Sequence, residues 1–445
     1  MKSLCTTLAS LLLFVLAVRH ASAAALERPN IVIILADDLG YADLGFTGCK
    51  DVATPYIDSL AANGIRFTQA YVSAPICSPS RAGLMTGRYQ QRSGHDDNDT
   101  PELSLKEVTL GNRMKACRYF TGMIGKWHLG DDPERLPPAR GFDETFHPDG
   151  NAAYFGARIL DSIKSNKFEP AKDKKLYTTE LNSARAADFI RRHKGEPFCL
   201  YLAFNNVHLP LEVPQKYIDR ITCACSSPDR RTMAAMVLAL DDAVGVVLQA
   251  LKKAGLEENT LIFFLSDNGG VMRFAQGREG ISFNTPFTGG KYTVREGGIR
   301  TPLVLQWKAR FPKARTYDRP VISLDLLPTV ISAAAGTINP DWQLDGVNLL
   351  PFLDGKVAGD PHAALYWRVK GRIAIRLGDW KLSRASTSSS KELYNLASDI
   401  AEGTNLAIRR PDKVAELEAA WKQWNAQMSP PQQPAKTAKG KAGED

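Results

Sequence analysis

Four short apolar runs, rich in β-branched and aromatic residues and each ending in polar groups, restrict what this chain can become. "NIVIILADDLG" ends near Asp37 and Asp38, and "YFTGMIGKWHLG" near Lys126 and His128. "FCLYLAFNNVHLP" ends near Asn206 and His208, and "TLIFFLSDNGG" near Asp267 and Asn268. Continuous apolar runs of this length read as strands buried on both faces. Between them lie helix-like stretches, the clearest being "RTMAAMVLALDDAVGVVLQALKKAG" at 231–255, where apolar residues recur at helical spacing and Gly255 marks the stop. Strands alternating with helices imply an α/β fold with a large, mostly parallel or mixed sheet sandwiched by helices. In such sheets polar sites gather beyond the carboxyl ends of the strands. Turn chemistry favours Gly, Asn and Ser, so four strand ends carrying Asp, Lys and His mark a site more readily than four solvated loops.

The pattern changes near residue 340. "ALYWRV" and "RIAIRLGDWKLS" read as strands of an antiparallel sheet, with Gly378-Asp379 as a turn. "PDKVAELEAAWKQWNAQM" reads as an amphipathic helix with Pro411 near its start. The expected organisation is a signal peptide at 1–25, an α/β domain at 26–338, a smaller α+β subdomain at 339–430 and a disordered tail at 431–445. Lys2, the run "LASLLLFVLAV" and Ala21-Ser22-Ala23 supply the three parts of the signal peptide. That run is too short to span a membrane and no later stretch reads as long enough, so the expected location is periplasmic or secreted, without stable membrane insertion.

Charge and cysteines narrow the chemistry. The net charge of +8 includes two cations of the signal peptide, Lys2 and Arg19, which leaves +6. The surplus suits an anionic substrate, and no motif for nucleic acid accompanies it. Six cysteines follow the signal peptide: Cys49, Cys77, Cys117, Cys199, Cys223 and Cys225. They do not form a disulfide framework, although one or two bridges are compatible with the count. The pair in "CAC" lacks the second pair of ligands that a zinc site needs.

Asp37, Asp38, Asp267 and Asn268 are hard oxygen donors, which suit Ca²⁺, or alternatively Mg²⁺, rather than zinc or copper. One aspartate pair alone reads as a loop start or helix cap; a second pair at another strand end outweighs that reading. In "APICSPSRAGLMTG" (74–87) Cys77 stands where a helix begins, with Pro79 in the first turn and Arg81 one turn on. A helix N-terminus lowers a thiol pKa. Cys77 is therefore a reactive thiol, a small buried hydrophobe, or the precursor of another group.

"CSPSRAGLMTGR" resembles the C-x-P-S-R-x-x-x-x-T-G signature of formylglycine-dependent sulfatases, in the alkaline phosphatase superfamily. "ILADDLGYADLG", "YFTGMIGKWHLG", "SDNGG" and "GGKYTVREGGIRTPLVL" resemble the other family motifs, in family order, over roughly residues 29 to 310. "ELYNLASDIAEGTNLA" (392–407) resembles the family's small C-terminal subdomain. The resemblance implies that a maturase enzyme oxidises Cys77 to formylglycine, whose hydrate attacks sulfur with one hydroxyl and expels sulfate when the other is deprotonated. It further implies that Asp37, Asp38, Asp267, Asn268 and an oxygen of the modified Cys77 hold the divalent ion. Arg81 would orient the diol, Lys126 and Lys291 would bind the sulfate oxygens, and His128 would take a proton. His208 would contact sulfate and protonate the departing alcohol.

The implied activity is hydrolysis of sulfate esters, of a sulfated carbohydrate or an aryl sulfate. Two alternatives are a phosphonate or phosphodiester hydrolase of the same superfamily, and an inactive carbohydrate-binding homologue. The chain departs from the family at Arg118, where glycine is usual. "FHPDGNAAYFG" has no firm match and offers His147, Asp149 and Asn151 as substrate-side candidates. "SGHDDNDT" (93–100) follows the Cys77 helix, is a candidate pocket wall, and contains the glycosylation pattern Asn98-Asp99-Thr100.

Overall fold

The computed structural model describes residues 28–432 except 100–101, 150–152, 166, 171–172 and 273–280. The expected signal peptide, Asn151, Thr100 and residues 433–445 lie outside the described residues.

The strands in chain order are β1 (Asn30–Ala36), β2 (Ile65–Phe67), β3 (Ala70–Tyr71), β4 (Phe120–Gly125), β5 (Glu144–Pro148), β6 (Ile159–Asp161), β7 (Phe168–Glu169) and β8 (Phe198–Ala203). They continue with β9 (Thr260–Ser266), β10 (Leu303–Gln306), β11 (Arg315–Tyr317), β12 (Val321–Ile322), β13 (Ala364–Val369), β14 (Arg372–Leu377), β15 (Trp380–Arg384) and β16 (Glu392–Asn395). Ten of them form one sheet in the order β11-β2-β10-β9-β1-β8-β4-β5-β6-β7. Its centre, β9-β1-β8-β4-β5, is parallel. The β9–β10 and β5–β6–β7 contacts are antiparallel, so the sheet is mixed.

Alternation along each central strand builds two cores. Val32, Ile34 and Ala36 pack on one face with helices Thr178–Arg192 and Pro228–Lys253, while Ile31, Ile33 and Leu35 pack on the other with helix Cys77–Thr86. Each fully buried valine, leucine or isoleucine among them contributes about 1.5–3 kcal/mol. In register, Ala36 lies opposite Ser266, Leu35 opposite Ala203, and Gly125 opposite Ala203. The carboxyl ends of all four runs therefore lie side by side.

The helix expected at 231–255 runs from Pro228 to Lys253; Ser227 accepts a hydrogen bond from Arg230 N at 3.1 Å, and Gly255 follows with φ 73°. This 26-residue helix is long and apolar enough to cross a membrane, contrary to the expectation that no stretch after the signal peptide would be. It is a core helix: 72% of its most apolar window is buried, and its Asp241 accepts Ile57 N at 2.8 Å, holding the start of helix Pro55–Ala62.

After residue 360, β13–β16 form an antiparallel meander, and Leu417 of helix Pro411–Asn425 packs on Ile375, Leu382 and Leu393. On the other side Trp367 and Trp424 share an apolar cluster with Tyr71, Ile76 and Tyr89, close to Cys77 in sequence. Cys223 and Cys225 are joined as a disulfide. Cys49, Cys77, Cys117 and Cys199 are free. Arg118, in place of the family's glycine, has φ 61°, the region where glycine is favoured.

Candidate active site

The helix Cys77–Thr86 starts directly from extended Ile76, and all ten of its residues are buried. Cys77 thus projects from the first turn into the row of strand ends. Its Sγ lies 3.4 Å from Asp37 Oδ1 and 3.7 Å from Asp38 Oδ1. Arg81, one turn on, donates to Asp267 Oδ2 through Nε at 2.9 Å and to Lys126 O through Nη1 at 3.1 Å; its Nη2 is 3.5 Å from Asp37 Oδ1.

The strand-end loops interlock. Asp37 N donates to Asn206 O at 2.8 Å and Val207 N to Asp37 O at 2.5 Å, which sets the loop bearing His208 against the Asp37–Asp38 pair. Tyr154 OH shares its one proton between Asn205 O at 2.6 Å and His208 O at 2.7 Å, fixing that loop. Asp38 N donates to Asp267 Oδ1 at 3.2 Å, and Asn268 Nδ2 to Asp38 Oδ1 at 2.8 Å. Lys291 arrives from a segment whose backbone N bonds Gly270 O at 3.0 Å, and its neighbour Tyr292 N bonds Pro75 O at 2.8 Å. Asp38 and His128 both have positive φ, 58° and 60°. Asp tolerates that region better than most residues, and such backbone strain clusters at functional sites.

Two buried ammonium groups face the carboxylates: Lys126 Nζ lies 2.6 Å from Asp37 Oδ2 and Lys291 Nζ 2.9 Å from Asp38 Oδ2. Burial opposes ionisation of Asp37, yet Lys126, His208 and Arg81 outweigh it and hold the carboxyl well below its usual range. Burial and the neighbouring Asp37 push Asp267 up to about 7, against Arg81. For Lys291 burial is overcome by Asp38, and the ammonium is strengthened. Burial, with Lys126 and Arg81, holds His128 well below 6.5. Burial and Lys126 likewise lower His208. His208 Nδ1 lies 2.7 Å from Leu209 O, which can only accept, so Nδ1 carries the proton and Nε2 accepts from Lys291 Nζ at 3.2 Å.

The thiol of Cys77 is pushed well above its ordinary value, first by burial and then by Asp267 and Asp37, against Lys126 and Lys291. Of the three readings the sequence leaves open, this counts against the reactive thiol: the partial charge of the helix end loses to desolvation among carboxylates.

The donor set fits a hard cation. One ligand atom each from Asp37, Asp38, Cys77 and His208 lie within 4.8 Å of one another. Asn268 Oδ1 is buried and has no hydrogen-bond partner. A buried amide oxygen left bare is costly unless it has a ligand. Asp267 meets the group through Asp38 N and is otherwise engaged by Arg81.

Asp37, Asp38, Lys126, His128, His208, Asp267 and Asn268 from the strand ends, together with Cys77, Arg81 and Lys291, meet in this one place; Asn206 instead turns its amide to Tyr177 OH at 3.1 Å and Met236 O at 2.9 Å. The substrate-side candidates behave differently. His147 is buried with Nδ1 3.0 Å from Gly125 O, and Asp149 pairs with Arg158, outside the cluster. Tyr154 was not singled out in the sequence; an aromatic in an unmatched segment gives no sign that its hydroxyl holds a catalytic loop.

Residues 29–337 match the family model described as Sulfatase. N-acetylgalactosamine-6-sulfatase of Mus musculus is 31% identical over 437 residues, covering 91% of this chain and 81% of that protein. Arylsulfatase A of Homo sapiens is 36% identical over 397 residues, covering 81% and 76%. The crystal structure of Ps i-CgsB in complex with k-i-k-neocarrahexaose superposes with a TM-score of 0.81 at 33% identity, covering 91% of this chain and 94% of that one.

Proposed function

This chain belongs to the sulfatase family and is a sulfuric ester hydrolase, and from that premise we propose that it acts on a sulfated carbohydrate through formylglycine formed from Cys77. The observation that carries the reading is the meeting of Asp37, Asp38 and Asn268 around Cys77, flanked by two buried lysines. Saccharide as the substrate class draws support from the carbohydrate sulfatases among the relatives and from the oligosaccharide bound to i-CgsB.

Asp37, Asp38, Asp267, Asn268 and the modified residue 77 would hold Ca²⁺, with Mg²⁺ as the alternative and His208 at the edge of the donor set. The ion supplies Lewis acidity that draws charge off the sulfate oxygens. Hydrated formylglycine supplies paired hydroxyls, one to displace the alcohol at sulfur and one whose deprotonation releases sulfate. Lys126 and Lys291 bind the non-bridging oxygens in a site shielded from water, where such charges act most strongly. Arg81, fixed by Asp267, orients residue 77. His128 is neutral at physiological pH and takes the proton of the second hydroxyl. His208 Nε2, which accepts from the Lys291 ammonium, would relay a proton from that ammonium to the departing alcohol.

We further read the segment at 1–25 as directing export to a periplasm or the outside, and a maturase as the partner that converts Cys77 beforehand. The test combines intact mass, which registers exchange of H₂S for O at residue 77, with turnover of 4-nitrophenyl sulfate and sulfated oligosaccharides. Converted, calcium-loaded protein is expected to release sulfate; silence across a broad sulfated panel overturns the reading. Matched phosphate esters are expected to react more slowly. The phosphonate monoester hydrolase of Agrobacterium radiobacter, at 21% identity and a TM-score of 0.64, shares the fold.

A further inference from the structure

The helix that carries residue 77 has no cap from its own N-terminal neighbour. Ile76 offers no side-chain cap, Pro79 has no N–H, and Ser80 N bonds Ile76 O at 3.1 Å. The N–H of Ser78 belongs to the first turn, which has no partner within the helix. It donates instead to Asn98 Oδ1 at 3.1 Å, while Ser78 Oγ lies 2.8 Å from His95 Nε2. A side chain twenty positions away thus caps the nucleophile helix.

The loop bearing Asn98 is itself held by the C-terminal sheet. Arg368 on β13 grips Asp96 through Nε at 2.6 Å and Nη2 at 3.0 Å. The same guanidinium donates to Asn425 Oδ1 at 2.7 Å and Ser429 O at 2.6 Å. Lys370, at the β13–β14 turn, lies 3.0 Å from Asp97 Oδ2 and 2.8 Å from Asp99 Oδ2. Ser429 Oγ donates to Arg92 O at 2.7 Å and Gln432 N to Gly94 O at 2.9 Å. Such a bidentate, charge-assisted grip fixes geometry as well as position.

We propose that Asn98 is a positioning residue for residue 77, and that the C-terminal sheet sets its place through Arg368 and Asp96. The inference rests on the hydrolase reading above and adds a task for the smaller subdomain: it holds the start of the nucleophile helix against Asp37 and Asp38. Displacement of an attacking group by a fraction of an ångström costs rate rather than affinity.

The test uses the full chain with residue 77 converted and 4-nitrophenyl sulfate as substrate. Asn98→Ala is expected to lower kcat about tenfold with KM changed less than twofold, the size of one lost cap. Asn98→Asp keeps an acceptor and is expected to hold kcat within about threefold of the parent, whatever its added charge does to KM. Arg368→Met, which touches no reacting group, is expected to lower kcat like Asn98→Ala. Amide hydrogen exchange over residues 75–86 is expected to quicken in Asn98→Ala and Arg368→Met and not in Asn98→Asp. Should Asn98→Ala not fold, Asn98→Gln, which displaces the acceptor by one methylene, carries the same expectation. Unchanged kcat, a KM effect alone, no rescue by aspartate, or unchanged exchange each overturns the proposal. Exchange needs no turnover, so failure of the hydrolase reading is separable from failure of this one.

Discussion

Asn268 and Asp38 meet across 230 positions of sequence, the amide Nδ2 donating to the carboxylate Oδ1 at 2.8 Å. The other end of that amide, Oδ1, is buried without a partner. An asparagine placed this way has one atom committed to a neighbour and leaves the other for the proposed cation. Asn268→Ala is expected to weaken Ca²⁺ binding by at least about tenfold, measured by calorimetry on chelator-treated protein. Chelation of the parent is expected to abolish turnover and Ca²⁺ to restore it. Parent-like affinity in Asn268→Ala would remove the residue from the ligand set.

Lys126 and Asp37 are both fully buried, 2.6 Å apart. Removing the ammonium leaves a carboxylate without its main counter-charge in the protein interior. Lys126→Ala is expected to lose about 10²–10³ in kcat and about 3–5 kcal/mol of stability in calcium-free solution. Added Ca²⁺ is expected to recover more stability in this variant than in the parent, because it supplies the missing positive charge. Denaturant titrations with and without calcium check this, and equal recovery in both proteins would count against shared neutralisation.

Much of this site was legible because it is built from strand ends. A parallel sheet brings the residues after β1, β4, β8 and β9 to one edge, whatever their separation in sequence, so short apolar runs sufficed to gather Asp37, Lys126, His208 and Asp267. Lys291 and Arg81 came from family motifs, since neither follows a strand of the parallel centre. What stayed hidden depends on side chains reaching across loops. Tyr154 under the His208 loop and Asn98 on Ser78 N act through side-chain hydrogen bonds to backbone that leave no periodic trace. The direction of the thiol pKa stayed open in the sequence for a related reason: the helix end is a local feature, while burial of Cys77 among Asp37 and Asp267 is a property of the whole fold. The long helix Pro228–Lys253 was not read as long and apolar enough to span a membrane because Asp241 and Asp242 interrupt its apolar run.

His128 is held below 6.5 by burial, then by Lys126 and Arg81, with Asp37 opposing. In its proposed role as base it works only when neutral, so activity is expected to be lost as pH falls through its pKa. The acid limb of kcat is therefore expected below 6.5, with the enzyme still active in mildly acidic solution. His128→Gln is expected to lower kcat by about 10²–10⁴ and to remove that limb. A parent profile whose acid limb lies above 6.5 would contradict the assignment.

Arg118 sits at φ 61°, with its N–H donating to Lys115 O at 2.8 Å. A side chain in the left-handed region costs roughly 1–2 kcal/mol, part of which glycine returns through its greater freedom in the unfolded chain. Arg118→Gly is expected to gain between zero and about 1 kcal/mol in urea denaturation, with kcat unchanged. A loss of stability would mean that contacts of the arginine side chain outweigh the backbone strain.

His362 and Asp325 tie the approach to β13 to the main domain, with Nε2 2.8 Å from a carboxylate that also receives Ile322 N and Val347 N. Burial alone would lower the imidazole pKa, but Asp325 overcomes it and the pKa rises above 6.5. A group whose pKa is raised in the folded state stabilises it fully below the unfolded value. That contribution fades as pH climbs through the folded value. The parent is therefore expected to lose stability between 6.5 and alkaline pH relative to His362→Gln, which has no titrating ring at this position. Paired urea denaturations on each side of 6.5 measure the difference. If the gap between the two proteins does not narrow as pH rises, His362 is not charged in the folded protein and Asp325 is satisfied by its backbone donors alone.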